Sequence, residues 1–188
     1  TKDGAGTLTL SNANTFTGNT SIGNGILNVT ANGGALGTSN VTLNGGTLNI
    51  DGVTLTGVPG ITISALAGAG AGFGGNGALT GSGTAAYNGP ILMGDGTQFK
   101  VGVGGTDTLT LGGQMRYTLG GPAYTVNVEK VGTGSLVLTG NNLLEISSTA
   151  TVTAGTLALS GATANLVDGA ITVASGATLD IINDATVS

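Results

Sequence analysis

The side chains able to do chemistry are few and almost all of one kind. Nine carboxylates are scattered through 188 residues, at Asp3, Asp51, Asp95, Asp107, Glu129, Glu145, Asp168, Asp180 and Asp184. Paired carboxyl groups about 5 to 9.5 Å apart are the machinery of glycoside hydrolysis, so polysaccharide cleavage is the enzymatic reading they allow. Against it stand a single Arg, Arg116, and the absence of His and Trp. Stacked strands would in any case bring some carboxylates together by geometry alone, so a pair would prove little. With no Cys and no His, zinc and iron–sulfur ligation, His-ligated haem, Cys nucleophiles and Ser-His-Asp catalysis are excluded. Calcium-binding rolls need Gly-Gly-x-Gly-x-Asp turns. Gly74-Gly75-Asn76-Gly77 lacks the Asp and Gly104-Gly105-Thr106-Asp107 has the wrong spacing, so Asp95 and Asp107 read as solvated turn residues, with a calcium site there as the alternative. Gly70-x-Gly72-x-x-Gly75 and Gly72-x-Gly74-x-x-Gly77 match a loose dinucleotide fingerprint. Neither opens a helix after a strand, as that mechanism requires, and so much Gly produces about one or two such matches by chance. No cofactor and no catalytic residue is expected, and the chain is read as a protein that is not an enzyme.

Composition sets the class of partner. The net charge is −5, with only Lys2, Lys100, Arg116 and Lys130 positive, too few to neutralise a nucleic acid backbone. Charged residues make up 7% of the chain, against roughly 25% in an ordinary soluble domain. A mean hydropathy of +0.36 allows a core and speaks against ordinary disorder. Collagen is excluded by the lack of a Gly-X-Y period and by only three Pro. Neither a basic-then-apolar leader nor a run of about 18 apolar residues is found, so no membrane insertion of this segment is expected. The lack of Cys fits a reducing compartment, and equally an exported protein that crosses a membrane unfolded.

The elements that would carry any site are strands. Strict alternation recurs at Val41-Thr42-Leu43, Leu48-Asn49-Ile50, Ile61-Thr62-Ile63, Leu109-Thr110-Leu111, Val126-Asn127-Val128 and Ile171-Thr172-Val173, which is the period of strands with one buried face. Asn-Gly pairs at 24–25, 32–33, 44–45, 76–77 and 88–89 punctuate them. A Gly-x-Leu unit then repeats at Leu8, Leu27, Leu48, Leu136 and Leu157, and nearly so at Leu179, in steps of 19, 21, 21 and 22 within two clusters. The gap from Leu48 to Leu136 is four steps of 22, with Leu92 and Leu111 or Met115 near the intermediate places. A step of that size is one rung of a parallel β-helix. The expected fold is therefore all-β, a parallel β-helix of roughly nine rungs about 4.8 Å apart, with aliphatic columns in the bore and Thr and Asn ladders outside. A β-sandwich is the alternative, and would require hairpin pairing instead of the long period.

The opening Lys2-Asp3-Gly4-Ala5-Gly6-Thr7-Leu8-Thr9-Leu10-Ser11, followed by Ala13-Asn14-Thr15-Phe16-Thr17-Gly18, Gly25-x-Leu27-x-Val29, Ala35-Leu36-Gly37 and Gly46-Thr47-Leu48, closely resembles the autotransporter-associated β-strand repeat of bacterial type V secreted passenger domains. The resemblance is strong over 1–50 and returns over 130–182. It implies a right-handed β-helical stalk exported to the bacterial cell surface. Such proteins carry a C-terminal translocator barrel, which these residues do not contain, so a passenger fragment and a different assembly using the same repeat both stay open.

One β-helical domain over 1–188 is expected, regular over 1–64 and 126–188 and irregular over 65–125. Within the irregular part, Ala65 to Gly83 is an Ala/Gly run that reads as a close-packed or flexible crossover, the place for any joint in the rod. After it come Tyr87, Phe99, Arg116, Tyr117 and Tyr124. These residues pack over the bore in one reading and form an interaction surface in the other, since Tyr and Arg concentrate at interface cores. Three functions follow: a surface stalk or adhesin segment, which packs against other repeats of a longer chain and meets a host surface or glycan; a subunit of an extracellular filament or sheath, because β-helix ends are open edges with little charge to block self-association; and the polysaccharide enzyme.

Overall fold

The computed structural model describes residues 1–64, 68–94, 96–117, 125–140, 148–161, 165–166, 170–182 and 186–187. Short alternating stretches, cut off by Gly and Asn, yield strands of two to six residues, too brief to stand alone and therefore stacked. In chain order the rungs are β1 (Thr7–Leu10) and β2 (Thr20–Ile22); β3 (Ile26–Val29) and β4 (Val41–Leu43); β5 (Thr47–Asp51), β6 (Thr54–Leu55) and β7 (Ile61–Ile63); β8 (Leu79–Ser82), β9 (Thr84–Tyr87) and β10 (Ile91–Met93); β11 (Gln98–Val103), β12 (Thr108–Leu111) and β13 (Met115–Tyr117); β14 (Asn127–Val131) and β15 (Ser135–Leu138); β16 (Thr149–Val152), β17 (Thr156–Ser160) and β18 (Asn165–Leu166); β19 (Ile171–Val173), β20 (Thr178–Ile182) and β21 (Thr186–Val187). Three parallel sheets result. Sheet I runs β1-β3-β5-β8-β11-β14-β16-β19, sheet II β6-β9-β12-β15-β17-β20 and sheet III β2-β4-β7-β10-β13, with β18 and β21 as a further parallel pair. This is the expected parallel β-solenoid; the described strands contain no hairpin pairing, which removes the sandwich.

Register turns the strands into columns. One inward column of sheet I reads Leu8, Leu27, Leu48, Leu79, Val101, Lys130, Val152 and Val173. In sheet II the corresponding column is Leu55, Tyr87, Leu111, Leu138, Leu159 and Ile181. Their interior apolar members join one continuous core. Outside, the polar ladder also forms: the Asn49 amide donates to Asn28 Oδ1 at 2.8 Å, and the Thr80 hydroxyl donates to Asn49 Oδ1 at 2.7 Å.

The rung arithmetic differs from the expectation in two respects. Sheet I has eight described strands, not nine, because its column advances by 31 residues from Leu48 to Leu79 and by 29 from Val101 to Lys130. The two Gly-x-Leu clusters also lie on different faces: Leu48 is in sheet I and Leu136 in sheet II. The gap of four equal steps is thus a coincidence, and the intermediate candidates are in other columns, Leu92 and Met115 in sheet III and Leu111 in sheet II. Residues 79–117, expected to be irregular, contribute β8 to β13 to all three sheets. β5 pairs with β8 and β7 with β10 across the Ala/Gly run.

Position along a column decides what a side chain contributes. Leu48 is fully enclosed, whereas Leu8 at the end of the same column is 47% exposed. Leu48→Ala should lower the unfolding free energy by about 2 to 5 kcal/mol, and Leu8→Ala by less than about 1 kcal/mol. Urea unfolding midpoints of the two variants check this, and equal shifts would contradict the column assignment.

Candidate functional site

Tyr87 and Phe99, read from the sequence either as packing over the bore or as part of an interaction surface, are fully buried. Both occupy inward positions of the alternation, so the bore takes them. Tyr87 stacks between Leu55 and Leu111, its hydroxyl donating to the Pro59 carbonyl. Gly89 makes room for the phenol, because a Cβ there would lie 2.6 Å from the Tyr87 oxygen. Burial holds the Tyr87 pKa far above its ordinary value. Arg116 is exposed on sheet III opposite Leu92. The Tyr117 backbone lies in β13, while its side chain and all of Tyr124 are outside the described residues. Two of the five surface candidates are therefore core residues.

The carboxylates are not stacked on one another where the register is described. Asp51 pairs across the ladder with Ser82, Glu129 with Lys100 and Thr151, and Asp180 with Ala158. Glu129 forms an ion pair with Lys100 at 3.2 Å. Asp95, Glu145, Asp168 and Asp184 lie outside the described residues. Asp107 sits in the corner before β12, and no group of three His, Cys, Asp or Glu residues placed to hold a metal occurs among the described residues.

A concave site does exist, over the outer face of sheet I. It is a cavity of ≈ 660 Å³ with Asn28, Asn49 and Thr80 on its floor, Phe73 and Asn76 on one wall and Asp107 on the other. The Phe73 and Asn76 wall belongs to the residues that lengthen the step from Leu48 to Leu79. Residues 68–77, with short 3-10 turns at Ala69–Ala71 and Phe73–Gly75, fold back onto the sheet. Glycine permits this approach: a Cβ on Gly77 would lie 2.7 Å from the Gly102 nitrogen, and one on Gly102 would strike the Asn76 carbonyl. Buried Thr47 fastens the segment, its hydroxyl donating to the Gly77 carbonyl at 2.7 Å and accepting from the Phe73 N–H at 2.9 Å. Read along the sequence alone, this stretch is an Ala/Gly crossover. The excess of about ten residues between Leu48 and Leu79 over the ordinary step is the sign that something projects there.

The two basic corners are built alike. Lys2 Nζ donates to the Gly4 and Asn24 carbonyls at 2.7 and 2.8 Å. Lys130 Nζ donates to the Val131, Gly132 and Ala154 carbonyls at 2.9, 2.7 and 3.2 Å. In each case the ammonium joins the corner of its own rung to the one above. Gly25 and Gly155, the next-rung corner residues, have φ of +71° and +68° and lie so near the carbonyls of Gly4 and Gly6, or Gly132 and Gly134, that a side chain is barred. Residues 1–29 and 128–159 match the family described as the passenger-associated-transport-repeat. The two matched stretches, of 29 and 32 residues, together span about a third of the 188-residue chain. The repeat is the one that the opening residues resemble, and it is one associated with autotransporter passengers. No match was found among the curated proteins or among the solved structures. The two matched stretches lie on different faces: the Leu-x-Leu strand of the first is β1 of sheet I, that of the second β15 of sheet II. Each encodes a corner and the strand after it, which any face can host.

Lys130 occupies an inward position between Val101 and Val152 and is 1% exposed. Burial lowers its pKa to about 8, while its three carbonyl partners hold the proton that remains. A native pKa below the unfolded value means that the unfolded chain binds more protons between about 8 and 10.5, so stability rises with pH there. Tyr87 acts oppositely above about 10, where only the unfolded phenol ionises. The clean window is therefore pH 8 to 10. Chemical denaturation across it should show rising stability in the parent and a flatter profile in Lys130→Met; identical profiles would contradict the burial of a titrating ammonium.

Proposed function

We propose that this chain is a non-enzymatic structural segment of an exported bacterial surface protein, a stalk that projects other parts of a passenger or adhesin. The observation that carries the reading is the pair of passenger-associated-transport repeats, each forming a corner of one continuous parallel solenoid. A solenoid with short corners buries its backbone in the ladder and leaves proteases little to cut. Surface labelling tests the location: antibody raised to the purified chain should decorate intact cells of the producing bacterium, and a signal seen only after lysis would overturn the reading.

A second reading, the subunit of an extracellular filament or sheath, is favoured by the column ends. Leu8 is 47%, Val173 41% and Ile181 51% exposed, while every described member between them in their columns is buried. Stacking of one end on another would enclose these side chains and pair the open strand edges. Electron microscopy and sedimentation separate the two. Filaments that shorten on Leu8→Lys or Ile181→Lys are expected of the assembling form, and monodisperse short rods at every concentration would remove it.

A further inference from the structure

The cavity on sheet I is a concave feature that the structural role leaves unused, and we infer that it is a binding site for a short neutral oligosaccharide. Its volume of ≈ 660 Å³ lies within the roughly 300 to 1,000 Å³ of ligand sites. No Lys or Arg lines it and Asp107 is its single carboxylate, so a phosphate, sulfate or polyanionic chain has nothing to bind to. An extended peptide that adds a strand needs a free sheet edge. Here the floor is the face of a sheet whose strands β3, β5 and β8 are paired on both sides. What the lining offers is neutral hydrogen-bonding capacity and one apolar ring.

These groups are arranged as a polyhydroxy ligand requires. Asn28, Asn49 and Thr80 form one outward column on successive rungs, about 4.8 Å apart, a pitch comparable with the advance of one pyranose unit along an extended glycan. The amides are held in place before any ligand arrives: Asn49 Nδ2 donates to Asn28 Oδ1 at 2.8 Å and to Ser82 Oγ at 3.2 Å, and Asn28 Nδ2 reaches Asp51 Oδ2 at 3.4 Å. Such ordering lowers the entropic cost of binding; Asn49 Oδ1 is filled by the Thr80 and Ser82 hydroxyls, while Asn28 Oδ1, which among the described residues accepts from Asn49 alone, retains a lone pair for a sugar hydroxyl. On the wall, exposed Asn76 offers a side-chain amide that makes no hydrogen bond within the described protein. Half-buried Phe73 supplies an apolar face for the C–H side of a sugar ring, fixed by its N–H bond to Thr47.

Titration calorimetry of the 188-residue chain tests the assignment with cellotetraose, maltotetraose, laminaritetraose and triacetylchitotriose as neutral probes and tetragalacturonate as the anionic contrast. At least one neutral probe should bind saturably. Phe73→Ala should weaken that binding about tenfold and Asn76→Ala by a smaller factor, with far-UV circular dichroism unchanged, while Phe16→Ala at the N-terminal end should leave it intact. The assignment is overturned if no neutral probe binds, if tetragalacturonate alone binds, or if both wall variants bind as the parent does. None of these outcomes bears on whether the rod is a surface stalk.

Discussion

Register between rungs is the constraint on which the rest depends. A parallel ladder places each residue directly over its counterpart one rung away, about 4.8 Å distant, so a side chain's neighbours are members of its own column before they are anything else. In sheet I this stacks Leu8, Leu27, Leu48, Leu79 and Val101 into one aliphatic line. Outside, the same rule sets Asn49 over Asn28 and lets amides and hydroxyls satisfy one another. A chain with four basic and nine acidic residues needs no charged surface for cohesion when every strand edge inside the stack is paired.

The column rule also explains the buried lysines. Lys130 stands where its neighbours are valines, yet its ammonium reaches the corner and meets three carbonyls there. Lys2 serves the first copy of the repeat in the same manner. A corner in which several carbonyls converge is a concentration of negative dipole ends, and a fixed cation is a direct way to relieve it. The glycines at 25 and 155 allow those carbonyls to approach. Lysine and glycine together are thus one corner device, and the device can sit on any face because it refers only to the adjacent rung.

Insertions are where the rod acquires individuality. The ladder tolerates extra residues only at corners, since a strand with an added residue would send its whole inward set to the other face. The long step between Leu48 and Leu79 is therefore spent at one corner, and residues 68–77 lie over sheet I and wall a cavity that a regular rung would leave as a flat polar face. Thr47 and the bare Gly102 decide that this segment lies down instead of projecting into solvent.

Much of this was legible in the residues themselves. Period-two alternation and the 21-residue step determined strands, parallel stacking and a solenoid, because both are properties of spacing alone, and the opening motif carried the resemblance that the match over residues 1–29 bears out. Spacing alone could not say which face a strand joins. Leu48 and Leu136 share a motif but not a sheet, since the count of residues between them is silent on how many corners the chain has turned. Nor could composition separate surface aromatics from core ones. Tyr87 and Phe99 are inward because their neighbours' register places them so, and the cavity exists because Asn28, Asn49, Thr80, Phe73 and Asp107, distant along the chain, are brought to one face by the winding of the rungs.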